Sequence, residues 1–279
     1  MLDFLRALME YAFLQHAVLA GILASIACGI TGTYVVVKGI SYICGGIAHA
    51  VLGGMGVAYY LGHDPLLGAT LAALISAVLL GLVSLRVSQY EDTVIGALWA
   101  IGMAVGIIFI SLTPGYRVDL MSFLFGNILM VSGSDLRTMF LLTILILGTV
   151  LLFYRQFQAL SFDQEHARLR GLRVEVFYIL LLCLVALTVV QLIRVVGLIL
   201  VIALLTLPAA IARLFLNRLG GIMMLATVLG SLFTFVGLGL SYSPDLPSGA
   251  TIILVAGAGY LLAVLFHQLS TTVSNNDLE

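Results

Sequence analysis

Apolar runs of about twenty residues follow one another along most of the chain, separated by short polar punctuation. A bilayer core needs about 20 apolar residues per helix, so each run reads as a crossing. The pattern predicts spans at 14–37, 43–62, 66–85, 93–112, 136–154, 175–193, 195–215, 220–241 and 249–268. That makes about nine transmembrane helices, with eight as the alternative. Residues 118–131, VDLMSFLFGNILMV, are apolar but too short to cross, and read as a re-entrant or interfacial segment. The ten-residue alternating segments of an outer-membrane barrel are not seen. The expected fold is all-α, a polytopic α-helical membrane protein forming one bundle.

The polar positions divide the chain further. Residues 1–13 carry Asp3, Arg6 and Glu10 and read as an amphipathic N-terminal segment before a transmembrane domain at 14–268. The first apolar run is too long for a signal-peptide core, so no cleavage is expected. The polar tail at 269–279 is expected to be disordered. Basic residues set the orientation. The 155–174 loop carries Arg155, Arg168, Arg170 and Arg173 and is placed in the cytoplasm. Alternation from there puts Lys38, Arg86, Arg213 and Arg218 inside as well, leaving Arg6, Arg117, Arg137 and Arg194 outside. The N-terminus is then outside and the C-terminus cytoplasmic.

Most connections are short, but that loop contains SFDQEHARLRGL from Ser161. Ser161 reads as an N-cap, Asp163 and Glu165 favour a helix N-terminus, and Gly171 ends the helix. A short charged helix between spans suits docking to another protein, or else lies amphipathically on the headgroups.

Composition agrees with the pattern: 62% of the 279 residues are hydrophobic and only 9% charged, and mean hydropathy is +1.21. Soluble domains carry about 25% charge. No basic stretch suggests nucleic acid. Cys28, Cys44 and Cys183 are scattered and imply no disulfide framework.

Candidate chemistry centres on GGIAHAVLGG, residues 45–54. Gly45, His49, Gly53 and Gly56 lie four, four and three apart and share one helix face. Glycines on such a face allow close helix approach in lipid. A histidine inside a membrane normally faces the bundle interior or a water-filled path, where it binds a metal ion or relays a proton. The plainer reading is a neutral His49 bonded to a carbonyl across the interface.

Asp119, Asp135, Asp245, His63 and Asp64 fall near outer ends, and Asp245 stands between two prolines in a rigid turn. His16 and His267 read as interface residues, and His166 belongs to the cytoplasmic loop. Pro208 removes a backbone hydrogen bond near the inner end of its span and is a hinge candidate. There is no GK dipeptide and hence no Walker A loop, no HExxH and no GxSxG. No catalytic constellation is present in the sequence, which leaves transport or conduction.

Four stretches in order, GGIAHAVLGG (45–54), DLMSFLFGNIL (119–129), VVGLILVIALLTLPAAIARL (195–214) and SYSPDLPSGATIIL (241–254), carry a resemblance over residues 10–268. The chain resembles the permease subunits of prokaryotic ATP-binding-cassette importers for zinc, manganese or iron. The resemblance implies an inner-membrane homodimer of two permeases, two cytoplasmic ATPase subunits and an extracytoplasmic metal-binding protein that delivers the ion. It implies no resident cofactor, only a divalent ion bound in transit. It makes the 161–173 segment, with Asp163, Glu165, Arg168 and Gly171, the coupling helix that grips the ATPase. His49 matches the family's path histidine, and Asp119 and Asp245 are candidates for the outer mouth. Gly45, Gly53, Gly56 and Pro208 are expected to serve packing and gating.

Many relatives carry an aspartate four residues before that histidine, where this chain has Gly45. An imidazole without its carboxylate tilts the expected cargo from manganese towards zinc. Two rivals stand beside this reading: a stand-alone ion-coupled transporter, whose usual internal repeats are not evident, and a carrier of siderophore- or vitamin-sized cargo.

Overall fold

A computed structural model describes residues 2–113, 126–198, 201–244 and 246–276. Among these residues the chain forms twelve α-helices and two short 3-10 turns. In order they are α1 (Leu2–Glu10), α2 (Ala12–Lys38), α3 (Ser41–Tyr60), α4 (Pro65–Arg86), α5 (Glu91–Leu112), α6 (Gly133–Leu152), α7 (Tyr154–Phe162), α8 (Gln164–Leu169), α9 (Val174–Val196), α10 (Val201–Phe215), α11 (Leu219–Tyr242) and α12 (Ser248–Asn276).

Eight of these, α2 to α6, α9, α11 and α12, are long and apolar enough to cross a membrane. The ninth expected span, 195–215, is divided. Val195 and Val196 finish α9, Gly197 turns the backbone at φ 79°, and α10 follows with 15 residues. At 1.5 Å per residue α10 covers about 22 Å, short of a ~30 Å hydrocarbon core. Leu205 packs its carbonyl on Gly32 and Arg213 donates to the Val36 carbonyl at 2.7 Å, so α10 runs parallel to the last third of α2. Its first turn therefore lies about midway along the bundle. Unbroken hydrophobicity across 195–215 concealed this interruption, because a buried non-helical turn is as apolar as a helix.

Small residues set the packing, as expected where lipid removes any hydrophobic drive between helices. Gly21, Ser25 and Gly29 of α2 meet Thr234, Gly230 and Thr227 of α11 in descending order, so these two helices run antiparallel. Gly54 of α3 and Gly68 of α4 press backbone to backbone. Gly46, Gly53 and Gly56 of α3 meet Ile95, Gly102 and Gly106 of α5 in ascending order, so α3 and α5 run parallel.

Polar contacts identify the two ends of the bundle. Lys38 Nζ donates to the Leu160 carbonyl at 3.0 Å and lies over the Tyr178 ring, and Tyr178 hydroxyl shares a hydrogen bond with Ser84. With the Arg213 contact, these gather the ends of α2, α4, α7 and α10 with the start of α9. The basic residues assigned inside thus cluster at one end. At the opposite end, Phe4 of α1 packs edge-on against Phe235 and Tyr242 of α11.

Residues 126–131 are the only part of the expected 118–131 segment among the described residues. Gly126 abuts Val196 and Gly197, and Ile128 is fully buried beside Gly21. This stretch enters the bundle between α2 and the end of α9.

Candidate functional site

Fourteen of the twenty residues of α3 are buried, an uninterrupted block from Ile43 to Gly53 among them. With α4 on one side and α5 on another, α3 is the most buried of the eight long helices. Its glycines make this possible. A Cβ at Gly53 would stand 2.9 Å from the Gly102 carbonyl oxygen, and one at Gly56 would stand 2.6 Å from that of Gly106. The expected shared face of Gly45, His49, Gly53 and Gly56 is therefore the face turned to α5.

His49 sits in this interface with 7% of its surface exposed. Its ring centroid lies 3.7 Å from that of Trp99, with the planes inclined by 55°. The carbonyl bond of the plainer reading is not observed at Nδ1: that atom is buried and has no hydrogen-bond partner among the described residues. Leaving a buried polar atom unpaired costs about 1–3 kcal/mol, so such an atom calls for an explanation; the Tyr34 hydroxyl and Gln191 Oε1 are likewise buried without a partner among the described residues. One turn earlier, a Cβ at Gly45 would come within 3.1 Å of both Trp99 and Ile202, from α5 and α10. The site is thus an imidazole enclosed by an indole, with α3, α5 and the first turn of α10 around it.

No group of three or more His, Cys, Asp or Glu that could hold a metal ion occurs among the described residues. His49 is a single nitrogen donor. Such a donor suits an ion passing through rather than one held. Asp119 and Asp245, the candidates for the outer mouth, lie outside the described residues. Cys44 turns its thiol back on its own helix, to the Ile40 carbonyl at 3.3 Å.

Several candidates have structural duties instead. Asp64 caps α4, accepting from Leu66 N at 2.9 Å. Asp135 forms a capping box with Ser132 at the start of α6. His267 packs edge-on against Phe215. Pro208 lies inside α10 and is buried, one turn beyond the Leu205 contact with α2.

The charged segment differs from its expected outline. Ser161 is not the cap: it lies in the last turn of α7, where its hydroxyl donates to the Phe157 carbonyl at 2.7 Å. The chain breaks at Asp163, whose carboxylate accepts from His166 N at 2.9 Å and caps the six-residue α8. Gly171 follows with φ 80°, as a terminator should. Arg168 reaches Glu175 of α9 at 3.8 Å, and both side chains are largely exposed. A surface groove beside this break is lined by Arg155, Gln158, Ala159, Phe162, Asp163 and His166.

Sequence reasoning missed Trp99 and the Gly102/Gly106 pair. The signal for Trp99 was present, since it is the chain's one tryptophan and lies inside an apolar span. The glycines repeat at a spacing of four, as those of α3 nearly do.

A membrane protein of Synechocystis sp. is 44% identical over 268 residues, covering 96% of this chain and 95% of that one. The manganese transport system membrane protein MntC of Listeria innocua is 36% identical over 263 residues, 94% of each. The structure of PsaBC from Streptococcus pneumoniae in complex with Fab superposes with a TM-score of 0.85 at 32% identity, again over 94% of each chain. The family model described as the ABC 3 transport family matches residues 10–267, and this multi-pass membrane chain belongs to that family.

Proposed function

We propose that the chain is the membrane-spanning permease subunit of an importer for a divalent transition-metal ion, driven by ATP hydrolysis on a separate subunit. The observation that carries this reading is His49: an imidazole nitrogen buried between α3 and α5 without a partner among the described residues, in a chain of the ABC 3 transport family. Borderline divalent ions accept imidazole readily, and a lone donor binds weakly enough to let its ion leave.

Two permeases form the conduit, an extracytoplasmic protein delivers the ion, and Asp119 and Asp245 guide it at the outer mouth. The α7–α8 segment docks on the ATPase. Lys38 then ties the end of α7 to α2, so movement of the docked segment is passed to the bundle. Zinc is the favoured cargo, because His49 has Gly45 rather than a carboxylate one turn before it. Manganese is the second reading, supported by the manganese relative MntC.

Replacement His49→Ala tests the proposal. Uptake of radiolabelled zinc and manganese should fall to background while the protein still inserts and still co-purifies with its ATPase. Full uptake of both ions would remove His49 from the path. Purified chain reconstituted without an ATPase should carry nothing; uptake driven by an ion gradient alone would favour the stand-alone transporter.

A further inference from the structure

We propose that Trp99 is the gate over His49: its indole, seated against Gly45, covers the imidazole and has to move aside before an ion reaches it. This rests on the reading of His49 as a path residue, and three observations carry it.

The first is the covering itself. The two ring centroids are 3.7 Å apart, and His49 retains only 7% of its surface. An indole face supplies no conventional hydrogen-bond partner to Nδ1, so the covered arrangement leaves that nitrogen unsatisfied. A ligand that reached it would gain a contact that the closed state withholds.

The second is the seat. Gly45 lies one turn from His49 on the same face, and a Cβ there would meet Trp99 Cζ3 at 3.1 Å. The glycine leaves the space that the six-membered edge of the indole occupies. Ile202, in the first turn of α10, reaches the same spot at 3.1 Å. The cover and the element that follows the break between α9 and α10 therefore meet the same glycine of α3.

The third is freedom to move. Beyond Trp99, α5 meets α3 through Gly102 and Gly106 against Gly53 and Gly56, backbone on backbone. Those backbones are closely packed, but Trp99 itself is only partly buried. Only Ile95 and Gly106 of α5 are buried in this chain. The indole can therefore swing off the imidazole about its own side-chain torsions, without parting the packed backbones. Trp99 is thus a positioning residue that controls access to His49.

The test replaces His49 with cysteine in a chain whose Cys28, Cys44 and Cys183 are changed to alanine, reconstituted in liposomes. The rate of reaction with a small methanethiosulfonate reagent reports access to position 49. An uncovered state populated at roughly 0.1–10% predicts that adding Trp99→Ala raises the rate about tenfold or more. Trp99→Phe, which keeps a flat cover, should stay near the parent rate. Equal rates in the parent and the Trp99→Ala chain would overturn the gate.

A second readout avoids substitution at Trp99. As the chain's one tryptophan, it reports by its own fluorescence, and titration with zinc chloride should change its emission saturably. The change should vanish in His49→Ala; an emission unaltered by zinc in the native chain would overturn the proposal. The two levels separate cleanly. Normal uptake by His49→Ala would defeat the path reading and the gate together. Lost uptake by His49→Ala, with labelling unaffected by Trp99→Ala, would defeat the gate alone.

Discussion

At the scale of single residues, the interface between α3 and α5 is decided by what is missing from its side chains. Gly53 and Gly56 face the backbone of Gly102 and Gly106, where no flexible side-chain end exists to yield. Gly53→Val must push the helices apart, at a cost of about 1–3 kcal/mol typical of overpacking. A thermal melt in detergent should show a lower midpoint for Gly53→Val. Gly148→Val on α6 is the control, since nothing lies within 4 Å of a Cβ there. Equal melting of the two variants would mean that the α3–α5 contact is loose. His49 and the glycine face were legible beforehand, because spacing along one helix is a property of the helix alone. Trp99 was not, since its role comes from contact between residues fifty positions apart.

Among the elements, the short ones depend most on local chemistry. Six residues are far too few for a helix to persist by propensity, so α8 relies on its Asp163 cap and its Gly171 terminator. Asp163→Ala should cost about 1 kcal/mol locally, the usual worth of such a cap. Under the docking proposal, ATPase co-purification should drop while membrane insertion is unchanged. Ser161→Ala should leave co-purification intact, since that hydroxyl only returns to its own helix. The reverse pattern would put the cap back at Ser161. Cap chemistry was readable in type but displaced by two residues, because Ser, Asp and Glu in one stretch offer competing start points. The break at Gly197 was hidden for a different reason: apolar residues continue through it, and hydropathy does not register φ.

Among the described residues the molecule is an assembly of eight long apolar helices and four shorter ones, whose ends sort by charge. Lys38, Arg213 and the Arg-rich loop converge through real contacts at one end. Under the proposed topology that end is cytoplasmic. A cysteine at exposed Arg218 should react with a membrane-impermeant maleimide only after permeabilisation, and one at exposed Ser134 should react in intact cells. The opposite result would invert the topology. Apolar faces on α5, α6 and α12 remain uncovered in the single chain, as suits helices that meet lipid or a second copy.

What the amino-acid order settled unaided was the class of molecule, the place of its eight long helices though not their number, and the face on which His49 lies. These follow from local quantities: run length against bilayer thickness, and side-chain period along one helix. Only tertiary structure decided that α10 stops short, that Asp163 is the cap, and that an indole closes over the imidazole. Each of those depends on groups distant in sequence meeting in space, and on backbone turns that hydrophobicity leaves unmarked.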